Sequence, residues 1–324
     1  MIDDYAFITI QNPFFERSRK ASTNWILWII LRTGFLRNDP RKRRRDDFGG
    51  YSLSGYIELP QGWTRIRSIG IGPFITLEEY RSADGSTVVW KSRYHRKHPP
   101  GVQASGTTWW APRSISWWIG VLIIVAAVVF TAGTIPSYVT LVGATMDSAT
   151  FLAGCVIFTP AAVLMVLEVV ATPTTLKGGN PHRKWRLFQL SRIDWWASVT
   201  QLLGVLLFLR SMSDALLVNL TVAEAEKIVW RPDLIGSLCF LIATGLSWFE
   251  VCNGLAAWRP RDISWWICLL WLLGSVAFMF SAAGAYIVPS TGQLYSLELT
   301  DLGFMVGAIL FGIGAVLMLP ERTS

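Results

Sequence analysis

Long apolar runs separated by short polar connections make up the second two-thirds of the chain. Six runs approach the roughly 20 residues that a helix needs to cross the hydrocarbon layer of a bilayer. They cover residues 116–137, 150–171, 195–212, 234–255, 265–288 and 302–319. The pattern predicts an all-α polytopic membrane domain with six transmembrane helices over residues 113–324.

A short phrase opens the first, third and fifth of these runs. It contains an Arg, an Ile, a Ser or Asp, and then two Trp, and it begins at Arg113, Arg192 and Arg261. The second, fourth and sixth runs carry Gly, Phe, Leu and Glu at one common spacing. The matched positions are Gly154, Phe158, Leu164 and Glu168; Gly236, Phe240, Leu246 and Glu250; and Gly307, Phe311, Leu317 and Glu321. They predict three tandem two-helix repeats, at about 113–171, 192–255 and 261–321.

The first 48 residues form a basic segment with a different pattern. Residues 25–36 are apolar but too few to span a bilayer, and a run of five cations follows them. Those cations are Arg41, Lys42, Arg43, Arg44 and Arg45. Two interpretations stay open: an interfacial helix whose basic run lies on anionic lipid, or a buried helix or strand followed by a solvated basic loop.

Residues 49–98 have the composition of strands. Asp84-Gly85 separates two β-rich stretches, at 75–77 and 87–94, and this dipeptide is a strong hairpin signal. Further short strands are expected at 53–57 and 65–71. We predict a small β-rich cytoplasmic module that ends in a solvated basic tail from His95 to His98, followed by a linker at 99–112.

Composition and charge agree with a membrane protein. Apolar residues make up 52% of the chain and charged residues 16%, against about 25% in soluble domains. With six spans, all but three of the 29 Lys and Arg fall on one side of the membrane. The exceptions are Arg210, Lys227 and Arg231. The positive-inside rule therefore places both termini in the cytoplasm.

The repeated charged and aromatic residues are the candidate site. The six paired tryptophans are expected to anchor the helices at the membrane interface; they are Trp117, Trp118, Trp195, Trp196, Trp265 and Trp266. Three carboxylates and three guanidinium groups are interfacial charge-pair candidates: Glu168, Glu250, Glu321, Arg113, Arg192 and Arg261. We expect Glu250 to pair with an Arg of the repeated phrase in an adjoining repeat. Cation binding is the alternative role for these carboxylates.

The catalytic and cofactor-binding motifs that do not occur in the sequence narrow the class of function that it predicts. No Gly-rich phosphate loop, GxSxG or HExxH occurs, so the sequence predicts no enzyme, cofactor or metal site. The bilayer, including anionic lipid, is the expected partner, and no nucleic-acid partner is expected. A non-enzymatic scaffold or sensor is the first hypothesis. A small-solute or ion transporter built on a pseudo-threefold helix bundle is the second, and the oligomeric state stays open.

Several stretches of residues 113–321 resemble a known family. They are the segment from Arg231 to Phe240 (RPDLIGSLCF), the Trp-Trp openings and the closing Leu319-Pro320-Glu321. Together they resemble bacterial membrane proteins that carry YrhK-like domains. The resemblance implies short two-helix membrane units and a bacterial inner-membrane location. It implies no activity and no functional residue, and it does not extend to the β-rich module.

The cation count gives a test of topology. In a cysteine-free version of the protein, cysteines introduced at Ser148 and Ser290 should face the outside, because the connections that carry them hold almost no cations. We expect both to react with a membrane-impermeant thiol reagent added to intact cells. Labelling only after the cells are opened would reverse the assigned orientation.

Overall fold

The fold is taken from a computed structural model, which describes residues 61–97, 109–172, 188–190, 192–217 and 220–321. The expected interfacial helix at 25–36, the basic run from Arg41 to Arg45 and the expected strand at 53–57 lie outside the described residues.

A three-stranded antiparallel sheet forms the described part of the N-terminal region. Its strands are β1 (Thr64–Ile71), β2 (Phe74–Arg81) and β3 (Thr87–Lys91), in the order β1-β2-β3. Gly85 adopts a φ of 85°, and Ser86 donates from its backbone and its hydroxyl to the Asp84 carboxylate. The Asp84-Gly85 hairpin prediction is confirmed.

The chain after β3 differs from the prediction. The third strand ends at Lys91, and residues Ser92–Lys97 form a short helix, α1, where a strand to 94 and a solvated basic tail were expected. Ser92, Arg93 and Lys97 are buried in this helix. The physical reason is a set of carboxylates at the end of the membrane helices, which gives these cations partners away from water.

Long helices follow, with two short helices between them. Their bounds are α2 (Ile115–Gly133), α3 (Pro136–Val142), α4 (Ala144–Ala171), α5 (Ile193–Asp214), α6 (Val222–Ala225), α7 (Arg231–Cys252), α8 (Ile263–Gly284) and α9 (Leu297–Met318). A π-helical turn, Glu226–Trp230, joins α6 to α7. Local signals set the ends: Ser296 caps the start of α9 through its hydroxyl, and Asn253 ends α7 in the left-handed conformation, which Asn tolerates.

Six of these helices pack in a closed ring. The order around the ring is α2, α4, α5, α7, α8 and α9, and α9 returns to α2. The sequence-adjacent pairs α2–α4, α5–α7 and α8–α9 are also the most extensive contacts. The ring therefore consists of three helix pairs placed side by side.

Among the described residues, five helical segments are long and apolar enough to cross a membrane: α2, α4, the continuous segment Val222–Cys252, α8 and α9. These five make the chain a multi-pass membrane protein. The expected third span, at 195–212, lies in α5, which carries Asp194, Arg210 and Asp214 and is not among them. That crossing stays a prediction.

Matched glycines and phenylalanines bring the two helices of each pair together. A Cβ on Gly154 would lie 2.4 Å from the Phe130 ring, and a Cβ on Gly307 would lie 2.6 Å from the Phe278 ring. Gly236 meets Phe208 in the same way, at 2.9 Å. Each glycine therefore leaves the space that the aromatic ring of its partner helix fills.

Three further phenylalanines meet at the centre of the ring. The centroids of Phe158, Phe240 and Phe311 lie 5.9, 5.9 and 6.4 Å apart, and all three side chains are buried. One comes from the second helix of each pair. The middle of the bundle is consequently filled by aromatic side chains, which we call the phenylalanine triad.

Gly154→Ala tests this packing. The new methyl group would collide with Phe130, which already packs against Phe151 and Phe304. Overpacking of this kind costs about 1–3 kcal/mol, so we expect a lower Tm in detergent. Gly245→Ala is the matched control, because a Cβ at Gly245 meets nothing within 4 Å and Ala favours a helix. A Gly154→Ala protein that melts at or above the wild-type Tm would contradict the close packing.

Candidate functional site

Buried charges from the helix ring and from α1 meet at one end of the bundle. The ring contributes Glu168, Glu250 and Glu321, each at or just beyond the end of the second helix of its pair, and Asp194 at the start of α5. We call these four carboxylates, with the α1 side chains that they bind, the charge socket.

Every carboxylate of the socket has a partner on α1. Lys97 Nζ donates to both Glu168 oxygens, at 2.8 and 3.1 Å, and Arg93 Nε donates to Glu321 Oε1 at 2.8 Å. Glu250 accepts two hydrogen bonds from Arg96, at 3.0 and 3.1 Å, and one from the Ser92 hydroxyl at 2.6 Å. Arg96 also donates to Asp194. The four α1 side chains that take part are Ser92, Arg93, Arg96 and Lys97, which lie at i, i+1, i+4 and i+5 and so share one side of a helix.

The middle helix pair is built differently from its neighbours. In the first and third pairs a serine precedes the two tryptophans, and its hydroxyl donates to the glutamate of its own pair: Ser116 to Glu168, and Ser264 to Glu321 at 2.7 Å. The middle pair has Asp194 in that position, and an ionised carboxylate cannot donate a hydrogen bond to Glu250. Arg96 lies between the two and binds both.

Burial makes the pairing necessary. The side chains of Glu250, Asp194 and Glu321 are only 1–2% exposed, and those of the α1 cations are 5–9% exposed. Arg192, 5% exposed, also bonds to Asp194, through Nε at 2.9 Å. Four carboxylates thus meet four cations, and a buried charge that lost its partner would be costly.

The pKa of Glu321, which lies beyond the end of α9, reflects two opposing effects: burial and the neighbouring cations. Burial alone would raise its pKa, but Arg93, Lys97 and the hydrogen bonds from Arg93 and Ser264 lower that pKa to about 2. When the pKa of a carboxyl group is lower in the folded protein than in the unfolded protein, the stabilisation is complete at pH values above the unfolded-state pKa. This stabilisation therefore declines as the pH falls below the ordinary pKa of Glu, about 4.3, toward 2.

A cavity of about 40 Å³ lies beneath α1. Its lining includes Arg96, Glu168 and Glu250 on the charged side and Trp271 and Met318 on the apolar side. This volume has room for a water molecule or two beside the ion pairs. The phenylalanine triad lies ten residues, about 15 Å, before the glutamates on the same helices.

The structure corrects the expected pairing of the repeated arginines. Glu250 pairs with Arg96 of α1 instead of an Arg of the repeated phrase. Arg192 pairs with Asp194 in its own phrase. Within the part of the chain that the structure describes, no carboxylate lies within 4.0 Å of Arg113 or Arg261, and both are exposed.

The paired tryptophans divide into a buried and an exposed member in each copy. Trp117, Trp195 and Trp265 are 3–7% exposed, and the following tryptophans are 39–46% exposed. Those exposed members are Trp118, Trp196 and Trp266. One ring of each pair therefore packs inside the protein, and the anchoring of these tryptophans at a membrane interface stays a prediction.

Sequence reasoning found the three glutamates but missed their partners. The sequence did contain a signal for these partners. Arg93, Arg96 and Lys97 are as many cations as there are repeated glutamates, and their spacing would place them on one side of a helix. It was hidden because six residues are too short a stretch for helical periodicity to be read with certainty. Comparison with protein-family models, curated proteins and solved structures finds no match to this chain.

Glu250→Gln tests the socket. The change keeps the shape of the side chain but leaves Arg96 with less negative charge, which should cost on the order of 1–3 kcal/mol and lower the Tm in detergent. Arg96→Gln should also lower the Tm, and the double variant should lose less than the sum of the two, because both changes break one interaction.

Glu298→Gln provides the control for that cycle. Glu298 is exposed in the first turn of α9, so its substitution should change stability by only a few tenths of a kcal/mol. Additive losses from Glu250→Gln and Arg96→Gln would show that the two side chains do not stabilise the protein through each other.

Proposed function

We propose that the protein is a non-enzymatic membrane scaffold or sensor that fastens its N-terminal module to one end of a six-helix membrane domain. The observation that carries the proposal is the occupation of the socket by α1: Arg93, Arg96 and Lys97 take up all three repeated glutamates. A carboxylate set saturated by the protein's own cations is suited to holding a domain in place.

The interior of the bundle also favours a scaffold. A transporter needs polar groups that face a shared path, whereas the centre of this ring holds the phenylalanine triad. The matched glycines draw each helix pair together around a second set of phenylalanines, Phe130, Phe208 and Phe278. These contacts are those of a packed core.

The wider proposal keeps α5 as a sixth crossing and the three helix pairs as tandem repeats. With six crossings, the socket, the N-terminal module and both termini lie in the cytoplasm. The basic run from Arg41 to Arg45 then lies on the inner surface, where anionic lipid attracts it. The resemblance to YrhK-like membrane proteins supports a bacterial inner-membrane location.

One observation favours a transporter as the second candidate. Asp233 lies within the candidate span Val222–Cys252, and among the described residues no cation lies within 4.0 Å of it. An ionisable side chain within a membrane helix is often functional. In this alternative, α1 would close a path that the socket carboxylates line.

Cleavage of the linker distinguishes the two candidates. A specific protease site is placed in the linker, at residues 101–107, of the full-length protein carrying a C-terminal tag. After cleavage in detergent, the N-terminal fragment should stay with the tagged membrane domain, because the socket contacts do not need the covalent link. Arg93→Glu combined with Arg96→Glu should release the fragment, since each new carboxylate faces the socket carboxylates.

The control is Arg67→Glu, a charge reversal at an exposed position of β1. It should leave the cleaved fragment bound. Release of the wild-type fragment would remove the basis for the scaffold. Solute or ion flux into proteoliposomes that depends on Glu250 or Asp233 would establish the transporter in its place.

A further inference from the structure

Three matched turns precede α2, α5 and α8. In each, a backbone N–H bonds to the carbonyl three residues earlier: Ser114 to Ala111 at 2.9 Å, Arg192 to Gln189 at 2.8 Å, and Asp262 to Arg259 at 3.0 Å. The first and third turns contain Pro-Arg at their two central positions, Pro112-Arg113 and Pro260-Arg261. Proline favours the second position of such a turn, so both arginines are held at fixed turn positions.

A row of tryptophan rings lies close in sequence to each of these two turns. Trp110 contacts Trp117 edge-on at 5.0 Å, and Trp117 contacts Trp118 at the same distance. The third copy repeats this row with Trp258, Trp265 and Trp266, at 5.2 and 5.0 Å. The outer rings are strongly exposed, Trp110 by 73% and Trp258 by 79%.

The exposed tryptophan of each pair is fixed beside the arginine. The Trp118 indole N–H donates to the Pro112 carbonyl at 2.9 Å, and the Trp266 indole N–H donates to the Pro260 carbonyl at 2.9 Å. Because each N–H is bonded within the protein, the rest of the ring presents an apolar surface next to the guanidinium-bearing residue.

We propose that two sites, one at each of these Pro-Arg turns, each bind the phosphate headgroup of an anionic phospholipid. The first site consists of Trp110, Arg113 and Trp118, and the second of Trp258, Arg261 and Trp266. Arginine binds phosphate in a bidentate manner, and aromatic rings favour the level of the lipid headgroups. Both sites lie at an end of helices long and apolar enough to span the bilayer, α2 and α8, so the acyl chains can lie along those helices.

The middle copy lacks such a site. Its arginine stands one residue later in the phrase, at the N-cap of α5, where the Arg192 side chain is buried and bonds to Asp194. In the aligned sequence, Ser191 stands where Arg113 and Arg261 stand in the other copies. Among the described residues there are therefore two such sites, although the aromatic pair occurs three times.

This inference depends on the membrane-spanning helices and is independent of the scaffold proposal. Native mass spectrometry of the full-length protein, with phosphatidylglycerol added to the detergent, tests it. We expect Arg113→Gln or Arg261→Gln to retain one lipid fewer than the wild type, and the double variant to retain two fewer. Phosphatidylcholine, whose headgroup carries no net charge, should be retained far less.

Arg210→Gln is the matched control, since Arg210 is an exposed cation near the opposite end of α5. It should retain as many lipids as the wild type, and all variants should keep the wild-type Tm, which separates loss of a site from loss of fold. Unchanged lipid retention in the double variant would overturn the proposal. Equal retention of phosphatidylcholine, or displacement of the lipid by inorganic phosphate at the same concentration, would also overturn it, because either result would remove the anionic lipid as the ligand.

Discussion

The pairing of buried carboxylates with α1 cations is the constraint on which the rest of the structure depends. Moving a carboxylate out of water costs several kcal/mol, and the cost is recovered only when a partner lies at hydrogen-bond distance. Glu250 and Glu321 are nearly inaccessible, so the ring alone would hold unpaired negative charge at one end. The ring and the N-terminal module consequently need each other. Breaking such a pair leaves a buried charge without compensation, so the pairs determine where α1 lies.

The position of the charges along the helices follows from the apolar middle. The phenylalanine triad fills the centre of the ring, and phenylalanines pack against the matched glycines, so a charge there would have neither water nor a partner. The glutamates lie four residues, about one helical turn, beyond the matched leucine, at the ends of the second helices, where α1 can reach them. The aromatic layer and the charged layer lie at different levels of the same helices. These helices can therefore contact hydrocarbon along their length and a polar module at their end.

Much of this architecture could be predicted from residue patterns. The apolar runs predicted the long helices, and Asp84-Gly85 predicted the hairpin. The matched spacing identified Gly154 and Glu168, with their counterparts, as positions of interest. The hydropathy of α5 is reduced by residues such as Gln201 and Arg210, and for that reason its crossing is the one that helix length and composition leave open. Periodicity could not place α1, because its six residues form less than two turns and its buried face is charged instead of apolar. A charged face is ordinarily solvated. The charged face of α1 is buried because it meets the carboxylates of the other helices.

The departures of the middle copy follow from placing one asymmetric helix against three matched glutamates. The single helix α1 cannot present the same cation to each, so Lys97 binds Glu168, Arg96 binds Glu250 and Arg93 binds Glu321. Arg96 uses its planar guanidinium group to bind two carboxylates at once, Glu250 and Asp194, and the middle copy is the one in which Asp194 replaces serine. The second negative charge in turn needs a second cation, and Arg192 supplies it from the N-cap position. The one-residue displacement of that arginine therefore removes it from the exposed position of Arg113 and Arg261 and places it against the socket carboxylate Asp194. The presence of Asp in place of Ser and the shift of Arg thus act together.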